Sequence, residues 1–288
     1  MDEKLENINE VLSETGPALV ACSGGLDSLL LSTLAHRLFP RRTLIVHGTG
    51  PAVPAEASVR VQGYAEKEGW RLVFVNAGEF ECEDYVRNPV NRCYYCKRRL
   101  YETLLRFGYD PQSDRYGIIS ENGADAETGG LKRYPVLSGA NVDDLGEYRP
   151  GLDAAREAGV RHPFIEAHIG KDDIRALCRF LKLPFAELAA SPCLSSRVYT
   201  GTRVEAQWLT LIDSIESRLK RMTGVKVVRC RMKQRNLFIE TLREDYDKFP
   251  PDLIRDLENE ILSKHKEMES LSLDSEPYQP GRAFVHPS

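Results

Sequence analysis

Short apolar runs alternate with stretches of helical periodicity through the first two thirds of the chain. The apolar runs predict buried strands, at residues 18–22, 43–47, 71–76, 135–138 and 163–165. The periodic stretches predict helices, at residues 2–14, 29–38, 55–69, 96–107, 152–158 and 171–181. Strands and helices in alternation indicate an α/β fold with a doubly wound parallel sheet, in which ligands bind beyond the carboxyl ends of the strands.

The pattern changes after about residue 203. A long amphipathic helix, an alternating pair of strands and a second helix are predicted, at residues 204–222, 225–231, 237–241 and 252–264. Pro, Ser and Gly from Asp274 onward predict a loose tail, and the unpatterned segment 108–133 predicts an inserted surface loop. We therefore expect a main α/β domain, a small α+β domain and a tail, at residues 1–202, 203–273 and 274–288.

The first strand and the following helix are joined by Ser23-Gly24-Gly25-Leu26-Asp27-Ser28. Backbone N–H groups and the dipole at a helix N-terminus favour an anion, and paired glycines let the backbone come close to it. Ser23 and Ser28 add hydroxyl donors, whereas Asp27 suits a Mg²⁺ ion that bridges phosphates. The stretch lacks the Gly-Lys-Ser/Thr of a Walker A loop and the three spaced glycines of a dinucleotide fingerprint. An ordinary turn with serine capping is the alternative.

Polar residues also follow two other predicted strands. His47-Gly48-Thr49 comes after the second strand, and His47 suits either a nucleotide pocket or the plain end of a strand. Gly139-Ala140-Asn141-Val142-Asp143-Asp144 follows the strand at 135–138. Because the carboxyl ends of parallel strands share one edge of the sheet, a glycine and two acids there suit the nucleotide end.

The composition is that of a soluble globular protein. The 288 residues are 42% hydrophobic and 28% charged, and the net charge of −4 argues against a dedicated nucleic-acid binder. No apolar run approaches the length of a membrane span, which predicts no membrane partner. The charged start Met1-Asp2-Glu3-Lys4 has no apolar signal region, and we expect a cytoplasmic protein.

Seven cysteines, an odd number, argue against a disulfide framework in such a compartment. Cys93 and Cys96 form a Cys-x-x-Cys pair, and Cys193 in the loop 191–197 is the natural third ligand. Three thiolates suit a [4Fe–4S] cluster with one iron left open. Zinc with an unseen fourth ligand, a redox pair and plain packing remain open. The other cysteines are expected to be structural, namely Cys22, Cys82, Cys178 and Cys230.

The loop at Ser23–Ser28 resembles the PP-loop of the ATP pyrophosphatases, which cleave ATP between the α and β phosphates. The wider chain resembles the LarE-type ATP-dependent sulfur transferases of that superfamily. The matching stretches are Ser23–Ser28, Gly139–Asp144, Tyr148–Gly151, Glu157–Arg161, Ser191–Arg197 and Val228–Arg231. The resemblance implies an adenine nucleotide alpha hydrolase-like fold, a homo-oligomer and a role in nickel-pincer nucleotide cofactor biosynthesis. There, a carboxylate of pyridinium-3,5-biscarboxylic acid mononucleotide is adenylated and becomes a thiocarboxylate.

The family has two sulfur strategies, and the resemblance assigns the cysteines to one of them. One branch sacrifices the sulfur of a single cysteine, whose position Cys193 occupies. The other branch has three cysteines and a [4Fe–4S] cluster that carries sulfide, and Cys93 and Cys96 match its added pair. ATP and Mg²⁺ are expected at the PP-loop, on Ser23, Gly24, Gly25, Asp27 and Ser28.

Two pairs of charged residues near the end of the chain complete the implied site. Arg229 and Arg231 face one side of a strand and match the family arginines that hold the substrate phosphate, unless they are solvated strand-edge residues. Glu216 and Glu240 correspond to family acids near a second metal.

Three other functions compete with this one. A tRNA thiolase would use the same adenylation but should have a basic surface or an RNA-binding extension. An amide-forming synthetase of the NAD or GMP type needs ammonia and has no use for Cys93, Cys96 and Cys193 together. A nucleotide-binding module with a structural zinc would release no pyrophosphate.

Overall fold

The structure is a computed structural model that describes residues 1–107, 134–146 and 149–284. The predicted surface loop at 108–133 and the motif residue Tyr148 lie outside the described residues. The described helices are α1 Asp2–Thr15, α2 Leu26–Leu38, α3 Ala55–Glu68, α4 Glu83–Val86, α5 Arg92–Phe107, α6 Pro150–Glu157, α7 Pro163–Glu166, α8 Lys171–Phe180, α9 Ala206–Thr223 and α10 Pro251–Lys264. The described strands are β1 Leu19–Ala21, β2 Leu44–Thr49, β3 Leu72–Asn76, β4 Val136–Ser138, β5 Val228–Lys233, β6 Asn236–Thr241 and β7 Ser270–Leu273.

The chain divides into two compact units. The first comprises Met1–Gly50, Ala55–Glu79 and Cys93–Ser191, and the second comprises Pro51–Pro54, Phe80–Arg92 and Pro192–Ser288. The main segment of the second unit starts at Pro192, and the unit also includes two short segments from earlier in the chain, whereas linear boundaries at residues 202 and 273 are expected from the sequence. The domain boundaries themselves stay a prediction.

The first unit is built on a parallel sheet, as the alternating pattern predicts. Its strand order is β3-β2-β1-β4, and β1 pairs with β2 and with β4 in parallel. Alternate residues of the central strands enter two different cores because side chains alternate across a strand. Val20 packs with residues of α1, α2 and α8, whereas Leu19 packs with residues of α5 and α6. Helices therefore cover both faces of the sheet, which confirms the α/β class.

The strand predicted at 163–165 is wrong, because these residues form the short helix α7. Pro163 occupies a first-turn position, where its fixed φ suits a helix and its missing N–H is not needed. The turn closes with bonds from Glu166 N to His162 O (3.0 Å) and from Ala167 N to Pro163 O (2.9 Å). Arg161, two residues earlier, bridges to Leu137 of β4 instead. An apolar run of this length carries too little periodicity to separate strand from helix.

The second unit contains the predicted hairpin, in which β5 and β6 are antiparallel. β7 adds to β6 in parallel. The tail predicted to be loose is bound to this unit as far as Phe284, since Tyr278 N donates to Thr241 O (2.8 Å) and Thr200 N donates to Ala283 O (2.9 Å). Its Pro and Gly residues prevent a regular element, but its backbone groups still find partners.

Among the described residues, no helix is both long enough and apolar enough to cross a membrane.

Candidate functional site

The segment Ser23–Ser28, which we name the PP-loop after the motif it resembles, connects the end of β1 to the start of α2 by a tight turn at Ser23–Gly25. Gly24 has φ +79°, and a Cβ there would lie 3.0 Å from Ala57 O and 3.1 Å from a methyl of Val61. Only glycine fits this position, both by conformation and by space.

The two serines of the loop close it from within. Ser28 Oγ accepts from Ser23 N (3.1 Å) and donates to Gly25 O (3.0 Å), and the two serine hydroxyls lie 3.1 Å apart. The first helical bond runs from Leu29 N to Gly25 O (3.0 Å), and no side chain of the described residues caps α2. The first-turn amides of α2 are therefore left for an anion.

Asp27 lies in the first turn of α2, where its carboxylate meets two residues from distant parts of the chain. One oxygen forms an ion pair with Lys171 Nζ, and the other accepts from Asn141 Nδ2 (3.3 Å). The ion pair is partly exposed, with 36% of the Lys171 side chain and 22% of the Asp27 side chain accessible. A partly exposed pair of this kind can exchange partners for a phosphate and a cation. Lys171 is not predicted from the sequence as a site residue, because its only local signal is its place at the start of α8.

The chain after β4 comes close to the PP-loop, as its place at the same sheet edge predicts. A Cβ on Gly139 would lie 2.9 Å from Ser28 N and 3.0 Å from the carbonyl carbon of Asp27. Further along, Asp143 accepts a bond of 2.6 Å from Lys171 N. Three loops, after β1, β4 and before α8, thus meet at one edge of the sheet.

His47 is fully buried and is hydrogen-bonded to Cys22, the residue that precedes the PP-loop. Its Nδ1 donates to Cys22 O (2.7 Å) and its Nε2 accepts from the Ser58 hydroxyl (2.9 Å). Burial lowers the pKa of His47, which keeps the ring neutral. Of its two predicted roles, a structural place at the strand is the one that these contacts support.

Cys93 and Cys96 lie inside α5, which begins at Arg92 rather than at the predicted residue 96. Residues three apart on a helix share a face, so the two half-buried thiols are neighbours. None of the seven cysteines, all of them in the described part, forms a disulfide. Cys22, Cys178 and Cys230 are buried, and burial raises the pKa of Cys178 to about 12.

Cys193 belongs to the second unit and is exposed, whereas the next four residues are buried. Arg229 and Arg231 lie in the same unit on β5, and they do share one side of that strand. Their guanidinium carbons lie 5.5 Å and 5.8 Å from the ring centre of Tyr278. Both are more than nine-tenths buried, so they are not solvated strand-edge residues.

The two arginines have different partners. Arg231 donates to Glu240 (2.9 Å), to Ser196 O (2.9 Å) and to Gln279 O (3.2 Å). Arg229 donates to Val228 O (2.9 Å), and its contact with Glu216 is long, at 4.0 Å. Burial, followed by the charge of Arg197, lowers the pKa of Arg229. A phosphate beside Arg229 would offset both effects.

Glu216 and Glu240 both have arginine partners. Glu216 accepts from both sides of the Arg197 fork (3.0 and 2.9 Å) and from Cys230 N (2.9 Å). Glu240 accepts from Arg231 and from Arg282 (3.1 Å). The expectation that these two acids lie near a second metal stays a prediction.

Within each unit, no three His, Cys, Asp or Glu side chains of the described residues come together as a ready-made metal site. Asp27 still suits Mg²⁺, which proteins commonly hold with one or two carboxylates together with substrate phosphates. The paired thiols of α5 are of a type that could serve as two ligands of an iron centre.

The comparisons with known proteins agree with this fold and loop. No family model matches the chain. The pyridinium-3,5-bisthiocarboxylic acid mononucleotide synthase of Lactiplantibacillus plantarum is 29% identical over 74% of this chain and 70% of its own length. Together with the parallel sheet, this similarity supports a LarE-like protein of the PP-loop class.

Two further relatives match almost end to end. The uncharacterized protein MJ0830 of Methanocaldococcus jannaschii is 27% identical over 92% of this chain and 90% of its own length. The uncharacterized protein slr1717 of Synechocystis is 32% identical over 98% of this chain and 97% of its own length. The chain belongs to the family of slr1717.

Proposed function

We propose that the protein is an ATP-dependent sulfur transferase that acts on a carboxylate. The observation that carries the proposal is the uncapped start of α2 with Asp27 and Lys171 beside it, in a chain similar to a synthase whose product is a bisthiocarboxylic acid mononucleotide. The proposed place is nickel-pincer nucleotide cofactor biosynthesis. The proposed substrate is a pyridinium mononucleotide that bears carboxylates, and the proposed assembly is a homo-oligomer.

The proposed reaction has two steps. A carboxylate oxygen of the substrate attacks the α-phosphorus of ATP, and pyrophosphate leaves. A sulfur nucleophile then attacks the acyl carbon, and AMP leaves with the original oxygen. Adenylation is required because a carboxylate oxygen is a poor leaving group, whereas AMP leaves readily.

The residues of the first unit fit the first step. The free first-turn amides of α2 and the Lys171 ammonium can stabilise the negative charge that develops on pyrophosphate. Asp27 would hold Mg²⁺, which supplies further charge neutralisation between phosphates when it is bound. Arg229 and Arg231 of the second unit would bind the substrate phosphate.

Three cysteines are proposed to take part in sulfur delivery. Cys93, Cys96 and Cys193 would hold a [4Fe–4S] cluster, which provides an iron position for exogenous sulfide when it is bound. Cys193 by itself, as a sacrificial donor, is the other source of sulfur. Iron, zinc and acid-labile sulfide, measured per chain on protein purified without oxygen, distinguish the two.

The decisive experiment compares Asp27→Asn with Asp172→Asn. Pyrophosphate release and thiocarboxylate formation are measured with ATP, sulfide and pyridinium-3,5-biscarboxylic acid mononucleotide. We expect Asp27→Asn to lower pyrophosphate release at least about a hundredfold, because removing a charged contact in the transition state costs about 2.7 kcal/mol or more. Asp172 is exposed in the first turn of α8 and serves as the matched control. Unchanged release in Asp27→Asn, or AMP formation that requires ammonia instead of sulfur, would contradict the proposal.

A further inference from the structure

The segment Pro192–Arg197, which we name the Cys193 loop, is bound to other residues of the second unit by most of its residues. Leu194 N donates to Ala52 O (2.8 Å), and the hydroxyls of Ser195 and Tyr85 share a bond of 2.6 Å. Ser196 O accepts from Arg231 (2.9 Å). Cys193 is nevertheless an exposed residue, although the residues that follow it in the loop are bonded to other parts of the protein.

Arg197 holds the peptide groups on either side of the Cys193 α-carbon. Its Nη1 lies 2.7 Å from Pro192 O and 3.2 Å from Cys193 O, and it donates to both. The other edge of the same guanidinium forms a fork with Glu216, at 3.0 and 2.9 Å. A planar guanidinium has the fixed geometry to serve both sides at once, which an ammonium group does not.

The carboxylate behind Arg197 is itself fixed from two elements. Glu216 belongs to α9, and it also accepts from Cys230 N of β5 (2.9 Å). Both side chains of the pair are only 3% exposed. A chain of contacts therefore runs from β5 through Glu216 and Arg197 to the backbone of Cys193.

Stability alone is a weak reason for such a pair. Two buried charges lose their hydration, and well-packed apolar side chains of the same volume often serve the fold equally well. A bidentate ion pair does provide one defined geometry. The pair is therefore expected to contribute to the placement of the Cys193 loop. A displacement of about 1 Å in a reacting group can lower a rate about a hundredfold.

We propose that Arg197 and Glu216 are positioning residues for Cys193. They fix the peptide groups around this cysteine so that its thiol is presented to a partner atom, a sulfur acceptor or an iron, in one orientation. The link to sulfur transfer rests on the function proposed above, whereas the positioning of the thiol can be measured without it.

The test uses Arg197→Lys, which keeps the charge and removes the fork, and the double variant Arg197→Met/Glu216→Leu, which removes both charges. Arg218→Lys is the matched control, because Arg218 lies on α9 in an exposed pair with Glu260. Two quantities are measured on each folded protein: amide hydrogen exchange at Ser196, whose N–H is bonded to Cys193 O (3.0 Å), and the rate of a single turnover of sulfur transfer.

We expect both variants to exchange the Ser196 amide at least about tenfold faster than wild type and to transfer sulfur about ten to a hundredfold more slowly. The KM for ATP should stay within about twofold, since adenylation does not use Cys193. Arg218→Lys should behave as wild type. Full sulfur transfer in Arg197→Lys would overturn the proposal, because charge alone would then suffice.

The test also decides the proposal if the double variant does not fold or if the wild-type protein transfers no sulfur. If the double variant does not fold, as judged by near-ultraviolet circular dichroism, Glu216→Gln replaces it and should give the same faster exchange. If wild-type protein transfers no sulfur, the proposed function fails, and the positioning proposal is then decided by Ser196 exchange and by alkylation of Cys193 with iodoacetamide. Wild-type exchange and alkylation in both Arg197 variants would overturn it.

Discussion

Two loops of the molecule carry its candidate chemistry, and they are built in opposite ways. The PP-loop at Ser23–Ser28 is closed from within, by serine hydroxyls that bond to groups of the same loop. The Cys193 loop is bound to other elements, by Tyr85, by Arg231 and by Glu216, which pairs with Arg197 of the loop itself. The first leaves backbone amides for a ligand, and the second leaves a single thiol. A loop that binds an anion through its backbone can be encoded locally, whereas a fixed thiol requires the tertiary structure.

The ion pairs of the two loops show the same contrast. The Asp27–Lys171 pair is partly exposed, whereas Arg197 and Glu216 are almost completely buried. Exposed pairs contribute little stability and separate easily, but breaking a buried pair leaves a costly unpaired charge. The first loop can therefore rearrange around ATP, and the second is expected to keep one geometry.

The substitution Cys193→Ala distinguishes the proposed roles of the two loops most clearly. We expect sulfur transfer to fall by roughly a thousandfold or more, because no other group replaces a lost nucleophile or ligand. Pyrophosphate release should stay within about twofold of wild type, since it depends on the PP-loop. Both products are measured in one reaction by mass spectrometry and a pyrophosphate assay. Cys82→Ala is the control, and persistence of sulfur transfer in Cys193→Ala would end the division of roles.

The same contrast explains what could be predicted from the sequence. Ser23–Ser28 and the parallel sheet follow from local patterns, and the structure confirms the sheet. The contact between Asp27 and Lys171 joins residues 144 apart, and that between Arg231 and Ser196 joins residues 35 apart. Nothing local distinguishes these side chains from solvated charges. The predicted strand at 163–165 failed for the opposite reason, since one turn of helix and one short strand look alike locally.

A second prediction concerns Gly139, whose close approach to Ser28 leaves no room for a side chain beside the PP-loop. Gly139→Ala would place a methyl 2.9 Å from Ser28 N, and the backbone there has to shift. Such overpacking costs about 1–3 kcal/mol. If the loop carries this cost only when ATP is bound, ATP is expected to bind about 5- to 150-fold more weakly. Binding is measured by calorimetry.

Gly63→Ala, in the middle of α3, is the matched control for that substitution. A Cβ there meets nothing within 4 Å, and the change should stabilise the fold by up to about 1 kcal/mol without affecting ATP affinity. Equal ATP affinity in Gly139→Ala and wild type would show that a methyl group at residue 139 does not disturb the ATP-binding conformation of the PP-loop.

The smallest expected effect concerns the side chains that hold the two cysteine carbonyls. His47 donates to Cys22 O before the PP-loop, and Arg197 donates to Cys193 O. Only the histidine can change its charge at ordinary pH. Burial lowers the pKa of His47, so the folded state favours the neutral ring. In the unfolded chain histidine binds a proton below about pH 6.5. The contribution of His47 is therefore full above about pH 6.5 and declines as the pH falls toward its folded pKa.

His47→Gln should remove this part of the pH dependence. The free energy of unfolding of wild type is expected to fall more than that of the variant between pH 7.5 and 5.5, by up to about 1.4 kcal/mol, because this range extends about one unit below the histidine pKa of the unfolded chain. Urea unfolding at several pH values measures the difference. Burial also lowers the pKa of His36 and His162, so both proteins keep a common slope that cancels in the comparison. His168→Gln, at an exposed histidine, is the control. Equal slopes in wild type and His47→Gln would mean that His47 does not couple the PP-loop to pH, and the two loops would then differ only in how they are held.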